Sequence, residues 1–266
     1  MIDTKSLKEK YSPEGSTLRQ YQYKMLDEVR FIDRICKENN ITYFLCAGSA
    51  LGAARHGGFI PWDDDMDIAL YEKDFKKLIK ILEDLDDDKY VLHSQRSDFN
   101  YIFPFPKFRE RRGNVYGEQA KPPRCSYKYK GTGIDIYCIA KDSYKTNVVT
   151  TYLKELLVGR MYKIKNNRAR KVFTKINWEI WMMLVPICRL IFNVGREEGE
   201  YRCAAGQGSA TELYDPKEII PTRKMVFEGI MLPVPNEYDA YLTHIYGNWR
   251  ELPKEVTVHN EELINK

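Results

Sequence analysis

The stretch Ala47-Gly48-Ser49-Ala50-Leu51-Gly52-Ala53-Ala54-Arg55-His56-Gly57-Gly58-Phe59-Ile60-Pro61-Trp62-Asp63-Asp64-Asp65-Met66-Asp67-Ile68 joins a glycine-serine turn, opening a small-residue helix, to a run of carboxylates entering an apolar strand. A helix that starts after Gly-Ser offers backbone N–H groups and a positive dipole end to an anion. Asp65 and Asp67, two apart on a strand, leave from the same face. Paired hard oxygen ligands suit Mg²⁺, which sits between carboxylates and substrate phosphates. The pairing reads as a phosphate grip beside a metal grip. The plainer alternative makes Asp63, Asp64 and Asp65 a surface turn after Pro61 and Asp67 the polar side of a half-exposed strand.

Working outward, Leu18, Tyr21, Met25, Val29, Ile32, Ile35 and Cys36 recur at helical spacing and predict a helix ended by Asn39-Asn40. Ile41 to Ala47 is β-branched and aromatic and reads as a buried strand. Ser49 to His56 follows as a short helix broken by Gly57-Gly58, then Met66 to Leu70 as a strand and Asp74 to Leu85 as an amphipathic helix. Further strands are expected at Tyr90 to His93, Tyr101 to Phe108 and Gly133 to Ala140. From Ser143 to about Val194 the chain turns helical. Pro216 to Pro235 reads as a ribbon of strands, and Asn236 to Tyr246 as a helix stopped by Gly247.

Composition bounds the partners. The 266 residues carry 42 basic and 38 acidic side chains, and a net +4 is too mild to imply nucleic acid unless the charges cluster. Two basic runs do cluster: Lys107, Arg109, Arg111 and Arg112, and Lys163, Lys165, Arg168, Arg170, Lys171 and Lys175. Each is either a solvated face or a contact for an anionic partner. The apolar segment Ile176 to Val194 is interrupted by Asn177, Glu179, Pro186 and Arg189, short of the roughly 20 apolar residues a span needs. Its Trp178 and Trp181, beside the basic run, fit either core packing or a helix lying at a membrane surface. Cys36, Cys46, Cys125, Cys138, Cys188 and Cys203 form no Cys-x-x-Cys pair, and the polar start Met1-Ile2-Asp3-Thr4-Lys5 lacks a secretory leader, so a cytoplasmic location with reduced thiols is the expectation.

In Gly133-Ile134-Asp135-Ile136-Tyr137-Cys138-Ile139-Ala140 a carboxylate interrupts an apolar strand, and an unpaired buried charge is costly. If that strand pairs beside the Asp65-Asp67 strand, three carboxylates converge, enough to seat one or two divalent ions. Two ions about 3.5–4 Å apart steady the attacking and leaving oxygens of a displacement at phosphorus. Asp135 is then both a ligand and a candidate base for an attacking hydroxyl. Arg55 is a candidate phosphate contact or a plain helix C-terminal cation.

The run Gly48-Ser49-x-Leu51-Gly52-Ala53-x-Arg55-His56-x-Gly58-Phe59-Ile60-Pro61-Trp62-Asp63-Asp64-Asp65-x-Asp67-Ile68 resembles the LicD family, itself similar to the nucleotidyltransferase superfamily. The resemblance continues through Ile134-Asp135-Ile136 to Tyr246-Gly247-x-Trp249, Pro253 and His259. It implies an α+β fold with a nucleotidyltransferase-like mixed sheet flanked by helices and an appended helical region. The expected units are a core over 1–142, the helical part over 143–210 and a ribbon with a helix over 211–266.

By that resemblance Asp65, Asp67 and Asp135 are the catalytic and metal residues. Gly48, Ser49, Arg55, Trp62, Lys107 and His259 are the substrate contacts, and Mg²⁺, or Mn²⁺ in its place, is the cofactor. The implied donor is CDP-choline or a related CDP-linked compound. The implied acceptor is a glycan, teichoic acid or lipopolysaccharide, in lipid-linked form at the inner face of the membrane. A quaternary ammonium favours aromatic faces, with Trp62, Tyr116, Tyr127, Tyr129 and Trp249 as candidates. The competing readings are transfer of a nucleoside monophosphate to a small hydroxyl compound, and a silent nucleotide- or glycan-binding module.

Overall fold

The computed structural model describes residues 3–113, 124–161, 163–193, 200–208, 212–253, 255–256 and 263. Two helices lead in, α1 (Thr4–Tyr11) and α2 (Thr17–Glu38). Ser16 starts the second, its hydroxyl accepting from the Arg19 N–H at 3.2 Å. The stripe read from the sequence is the buried face of α2, from Leu18 through Met25, Val29 and Ile32 to Cys36. Next come β1 (Phe44–Leu45), α3 (Ala47–His56), β2 (Asp67–Tyr71), α4 (Glu72–Glu83), β3 (Tyr90–His93), β4 (Lys107–Glu110) and β5 (Gly133–Ala140). A helical hairpin follows, α5 (Tyr144–Met161) and α6 (Asn167–Phe192), then β6 (Arg202–Cys203), α7 (Pro216–Ile219), the hairpin β7 (Arg223–Phe227) and β8 (Ile230–Val234), and α8 (Tyr238–Tyr246).

The main sheet runs β1-β2-β5-β4-β3, with β6 also on β5. Its β2–β5 pair is parallel and its other pairs are antiparallel. This is the mixed sheet flanked by helices that the sequence predicts. Alternation along β5 sends Ile134, Ile136 and Cys138 to one face and Asp135 and Tyr137 to the other. Phe108, paired with Ile134, stacks on Phe31 of α2, so α2 covers the apolar face. One hydrophobic core joins the sheet to α2, α3, α4, the β7–β8 hairpin and α8.

Two expectations need correction. The strand expected over Tyr101–Phe108 is confined to Lys107–Glu110, because Pro104 and Pro106 have no N–H to give a ladder. The strand expected over Ile41–Ala47 shortens to Phe44–Leu45. Cys36, Cys46, Cys138, Cys188 and Cys203 are buried free thiols, as expected; the Cys125 side chain lies outside the described residues.

The tip of the β7–β8 hairpin locks the loop that leads to the aspartates. Glu228 and Gly229, with φ of 45° and 79°, make the turn. The Glu228 carboxylate takes Lys8 at 2.8 Å and Arg19 at 2.6 Å, and accepts from the Phe59 N–H at 3.3 Å. Burial alone would raise its pKa, but those two cations bring it below the ordinary value. A β-carbon on Gly58 would stand 2.1 Å from Glu228 Oε1, so only glycine admits that carboxylate. Gln22 of α2 completes the clamp, donating to the carbonyls of Ile60 at 3.4 Å and Asp63 at 3.0 Å.

A second buried acid tunes stability to pH. Glu28 accepts from the Thr132 hydroxyl at 2.6 Å and the Glu110 N–H at 3.2 Å, while its Oε2 has no partner. Burial pushes its pKa up to about 8. The native state therefore holds a proton that the unfolded chain releases near its ordinary pKa of 4.5. Stability is fully present below that value and falls, by up to about 1.4 kcal/mol per pH unit, as pH rises toward 8. Glu28→Gln should flatten this slope, measured as urea midpoints at pH 5.5 and pH 8; an unchanged slope would show that Glu28 is ionised in the fold.

Candidate active site

Four carboxylates crowd one corner of the sheet. The parallel register sets Asp67 directly beside Asp135, on strands that lie about 4.8 Å apart. Asp63 and Asp65 approach from the preceding turn and are hydrogen-bonded to each other. Burial, then the charges of Asp65, Asp135 and Asp63, drive the Asp67 pKa well above the usual carboxylate range. Burial and then Asp135 raise Asp65, and burial and then Asp65 raise Asp63. The Lys107 ammonium, brought beside Asp135 by the β4–β5 register, forms an ion pair with it. The structure thus brings together Asp65, Asp67, Asp135 and Lys107.

The helix start sits against them. The Ser49 hydroxyl accepts from the Asp67 N–H at 2.8 Å, which ties α3 to the first residue of β2 and leaves its own O–H to donate. Ala47 sits at φ 46°, and its N–H donates to the Tyr241 hydroxyl at 3.1 Å. The Ser49 and Ala50 amides both bond the Cys46 carbonyl. Among the described residues the Gly48 amide is what remains of that first turn for an anion, fewer donors than the open row the sequence predicts. A β-carbon at Gly48 would stand 3.1 Å from Asp63 Oδ2, so glycine keeps the corner passable.

Other predicted contacts are engaged in packing or in bonds that hold the framework. The Arg55 guanidinium donates to the carbonyls of Trp249 and Glu251 at 3.3 and 3.2 Å, and to His56 Nε2 at 3.0 Å. It stitches α3 to the C-terminal segment. Burial lowers the His56 pKa to about 4, so a neutral ring meets Thr4 through Nδ1. Trp62 is buried with its ring edge-on to Tyr11 and His56, a packing position instead of a ligand face. Trp249 is also buried and donates to Asp239. Tyr127 and Tyr129 are buried around His93. His259 and Tyr116 lie outside the described residues.

Both basic runs are partly structural. Arg109 is buried and donates to the Tyr129 carbonyl, Arg111 holds the Asp87 carbonyl, and Arg170 is buried against Ile164 and Ser126.

The sequence reading passed over several neighbours of the cluster. Asp63 repeats the two-residue spacing of Asp65 and Asp67. Tyr137, two residues beyond Asp135, shares its face and feels the charges of Asp67 and Asp135. Phe105 lies 4.8 Å from the Tyr137 ring and 5.3 Å from Phe103, ring centre to ring centre. These three rings, all half-buried, make an aromatic wall beside Lys107, whose ammonium is 5.8 and 5.9 Å from the Phe103 and Phe105 centres.

Among the described residues, this set of buried carboxylate oxygens with the Lys107 ammonium beside it carries excess negative charge, and such hard donors fit a divalent ion of the Mg²⁺ type. Among the described residues no three ligating side chains already stand at metal-binding spacing. In this conformation Asp63 is bonded to Asp65, and Lys107 engages Asp135.

The carboxylates on adjacent parallel strands and the Gly-Ser helix start against them fall within one segment that matches a known domain family. Residues 40–137, which include Gly48, Ser49, Lys107 and the carboxylate cluster, match the family described as LicD/FKTN/FKRP, nucleotidyltransferase domain. The chain carries a LicD-family domain. It is 25% identical over 258 residues to the lipopolysaccharide cholinephosphotransferase LicD of Haemophilus influenzae, spanning 90% of this chain and 93% of that one. An uncharacterized protein of Rickettsia prowazekii is 28% identical over 119 residues, 38% of this chain and 44% of the other. The human ribitol 5-phosphate transferase FKRP is 42% identical over 48 residues, 18% of this chain and 10% of FKRP.

Because the Asp67 carboxyl is raised, stability carried by its neutral form is lost as pH rises. Asp67→Asn should therefore exceed the native chain in Tm in EDTA at pH 8 by about 2–6 °C, with the gap closing toward pH 5. Adding Mg²⁺ should stabilise the native chain and leave the variant where it was; equal shifts in both would place the ion elsewhere.

Proposed function

We propose that this chain transfers phosphocholine from CDP-choline to a hydroxyl of a glycan, releasing CMP. The observation that carries the reading is the side-by-side placement of Asp67 and Asp135, with Lys107 on the latter. Likeness to LicD over nine-tenths of the chain supports the choice of phosphocholine as the group moved and of a lipopolysaccharide-type acceptor, with teichoic acid the other glycan of the same chemistry. Asp65, Asp67 and Asp135 would hold Mg²⁺, or Mn²⁺ in its place. Bound there, the ion would neutralise phosphate charge and act as a Lewis acid.

The protein's own groups do the rest. The Ser49 hydroxyl and Gly48 amide donate to phosphate oxygens, and the Lys107 ammonium adds positive charge where it accumulates during transfer. Asp135 accepts the proton of the attacking hydroxyl as the new O–P bond forms and the P–O bond to CMP breaks. The Phe103, Phe105 and Tyr137 wall receives the quaternary ammonium; the neighbouring Lys107 ammonium already sits at the edge of cation–π range from two of these rings.

Incubation with CDP-choline, Mg²⁺ and acceptor should release CMP and leave choline on the glycan. Release of phosphocholine with a nucleotide on the acceptor would establish nucleotidyl transfer instead, and no turnover with any CDP-linked donor would favour a silent binding module. Asp67→Ala should abolish turnover without loss of fold. Phe105→Ala should raise KM for CDP-choline about 2- to 30-fold, the range of one cation–π contact, and leave KM for CDP-glycerol unchanged. An equal loss for both donors would mean that the ring merely packs.

A further inference from the structure

Unlike an ordinary surface helix pair, the α5–α6 hairpin is apolar on its outward side as well as its inner one. Its inner side holds Trp181, Val185 and half-buried Trp178 against Leu153 and Leu157. It is bolted to the end of β5, where Arg189 donates to Asp142 at 2.9 and 3.0 Å. The tryptophans that suggested a membrane surface therefore face inward. The outward side of α6 is apolar: Val172, Ile176, Met183, Ile187 and Leu190 recur at spacings of three, four and seven, and Leu190 is 77% exposed. Tyr152 of α5 is 68% exposed. An unpartnered apolar stripe of this length marks an interaction surface.

Charge says what covers it. Residues 163–193 hold seven basic side chains against a single acid, Glu179. Arg168, Lys171 and Lys175 are exposed at the N-terminal end of the stripe, where the helix dipole is also positive. A second copy of this chain offers the basic end no acidic counterpart along the stripe, since Glu179 is the one acid of residues 163–193. A bilayer with anionic headgroups offers both an apolar layer for the stripe and negative charge for its basic end. No described helix is long and apolar enough to cross a membrane, so contact is in the plane of the interface. At 26 residues, α6 would lie along about 39 Å of it.

We propose that the outward face of the α5–α6 hairpin docks the protein on the surface of an anionic phospholipid bilayer. Docking needs neither donor nor metal and stands apart from the transfer chemistry. Combined with that reading, it brings the enzyme to a lipid-linked glycan.

The test is co-sedimentation of the full chain with phosphatidylcholine vesicles, with and without phosphatidylglycerol. Binding should require phosphatidylglycerol and weaken in 0.5 M salt. Lys171→Glu with Lys175→Glu should reduce partitioning at least tenfold, at roughly fivefold per charge removed. Met183→Glu with Ile187→Glu should do the same, while circular dichroism stays native because both positions are exposed. Leu190→Glu alone serves if that pair fails to fold. Absence of binding, binding indifferent to phosphatidylglycerol, or binding that survives these substitutions overturns the proposal. A dimer by light scattering that Met183→Glu with Ile187→Glu converts to monomer overturns it in favour of self-association.

Discussion

Like charges held close together in a dry corner are the constraint around which this molecule is arranged. Ladder hydrogen bonds between β2 and β5 fix Asp67 beside Asp135, and no side-chain adjustment can separate two residues in register. The repulsion is carried by the backbone. It is tolerated because β4 delivers Lys107 to the same point and because the clustered acids keep protons that free carboxylates would shed. In the proposed reading, an incoming phosphate and its metal would relieve what the bare protein endures.

The scaffold around that corner is made of internal ion pairs and small glycine gaps more than of long strands. Glu228 gathers Lys8, Arg19 and the Phe59 amide into one node, which fixes the loop between α3 and the aspartates. Ser49 joins helix start to strand start through a single hydroxyl. Arg55, placed by the sequence among the phosphate contacts, belongs to this framework, since its guanidinium holds carbonyls of the C-terminal segment.

Much of this was legible in the sequence where one period or one spacing dominated. The stripe of α2 and the strand around Asp135 each correspond to an observed element, whereas Asp65, expected on a strand with Asp67, lies in the segment before β2. Tyr101 to Phe108 misled because its aromatic run looks like a strand, while Pro104 and Pro106 deny it a ladder. The tryptophans misled in the other direction: composition showed that α6 is apolar but not that its aromatic side packs on α5 and its aliphatic side meets solvent. Trp62 lies beside the aspartates in sequence, yet burial turns it toward Tyr11 and His56. Phe103, Phe105 and Tyr137 went unnoticed because the proline-broken segment before β4 and the middle of β5 meet only in the fold.

Gly58 gives the loop before the aspartates its oddest property. A glycine pair in such a motif suggests room for a bound phosphate, but the space at Gly58 is taken by a carboxylate that the protein supplies itself, from the hairpin some 170 positions downstream. The carboxylate corner and the distant β-ribbon are thereby spliced at one atom-sized gap. A methyl group there would evict the tenant, release two cations together and unmoor both ends of the splice.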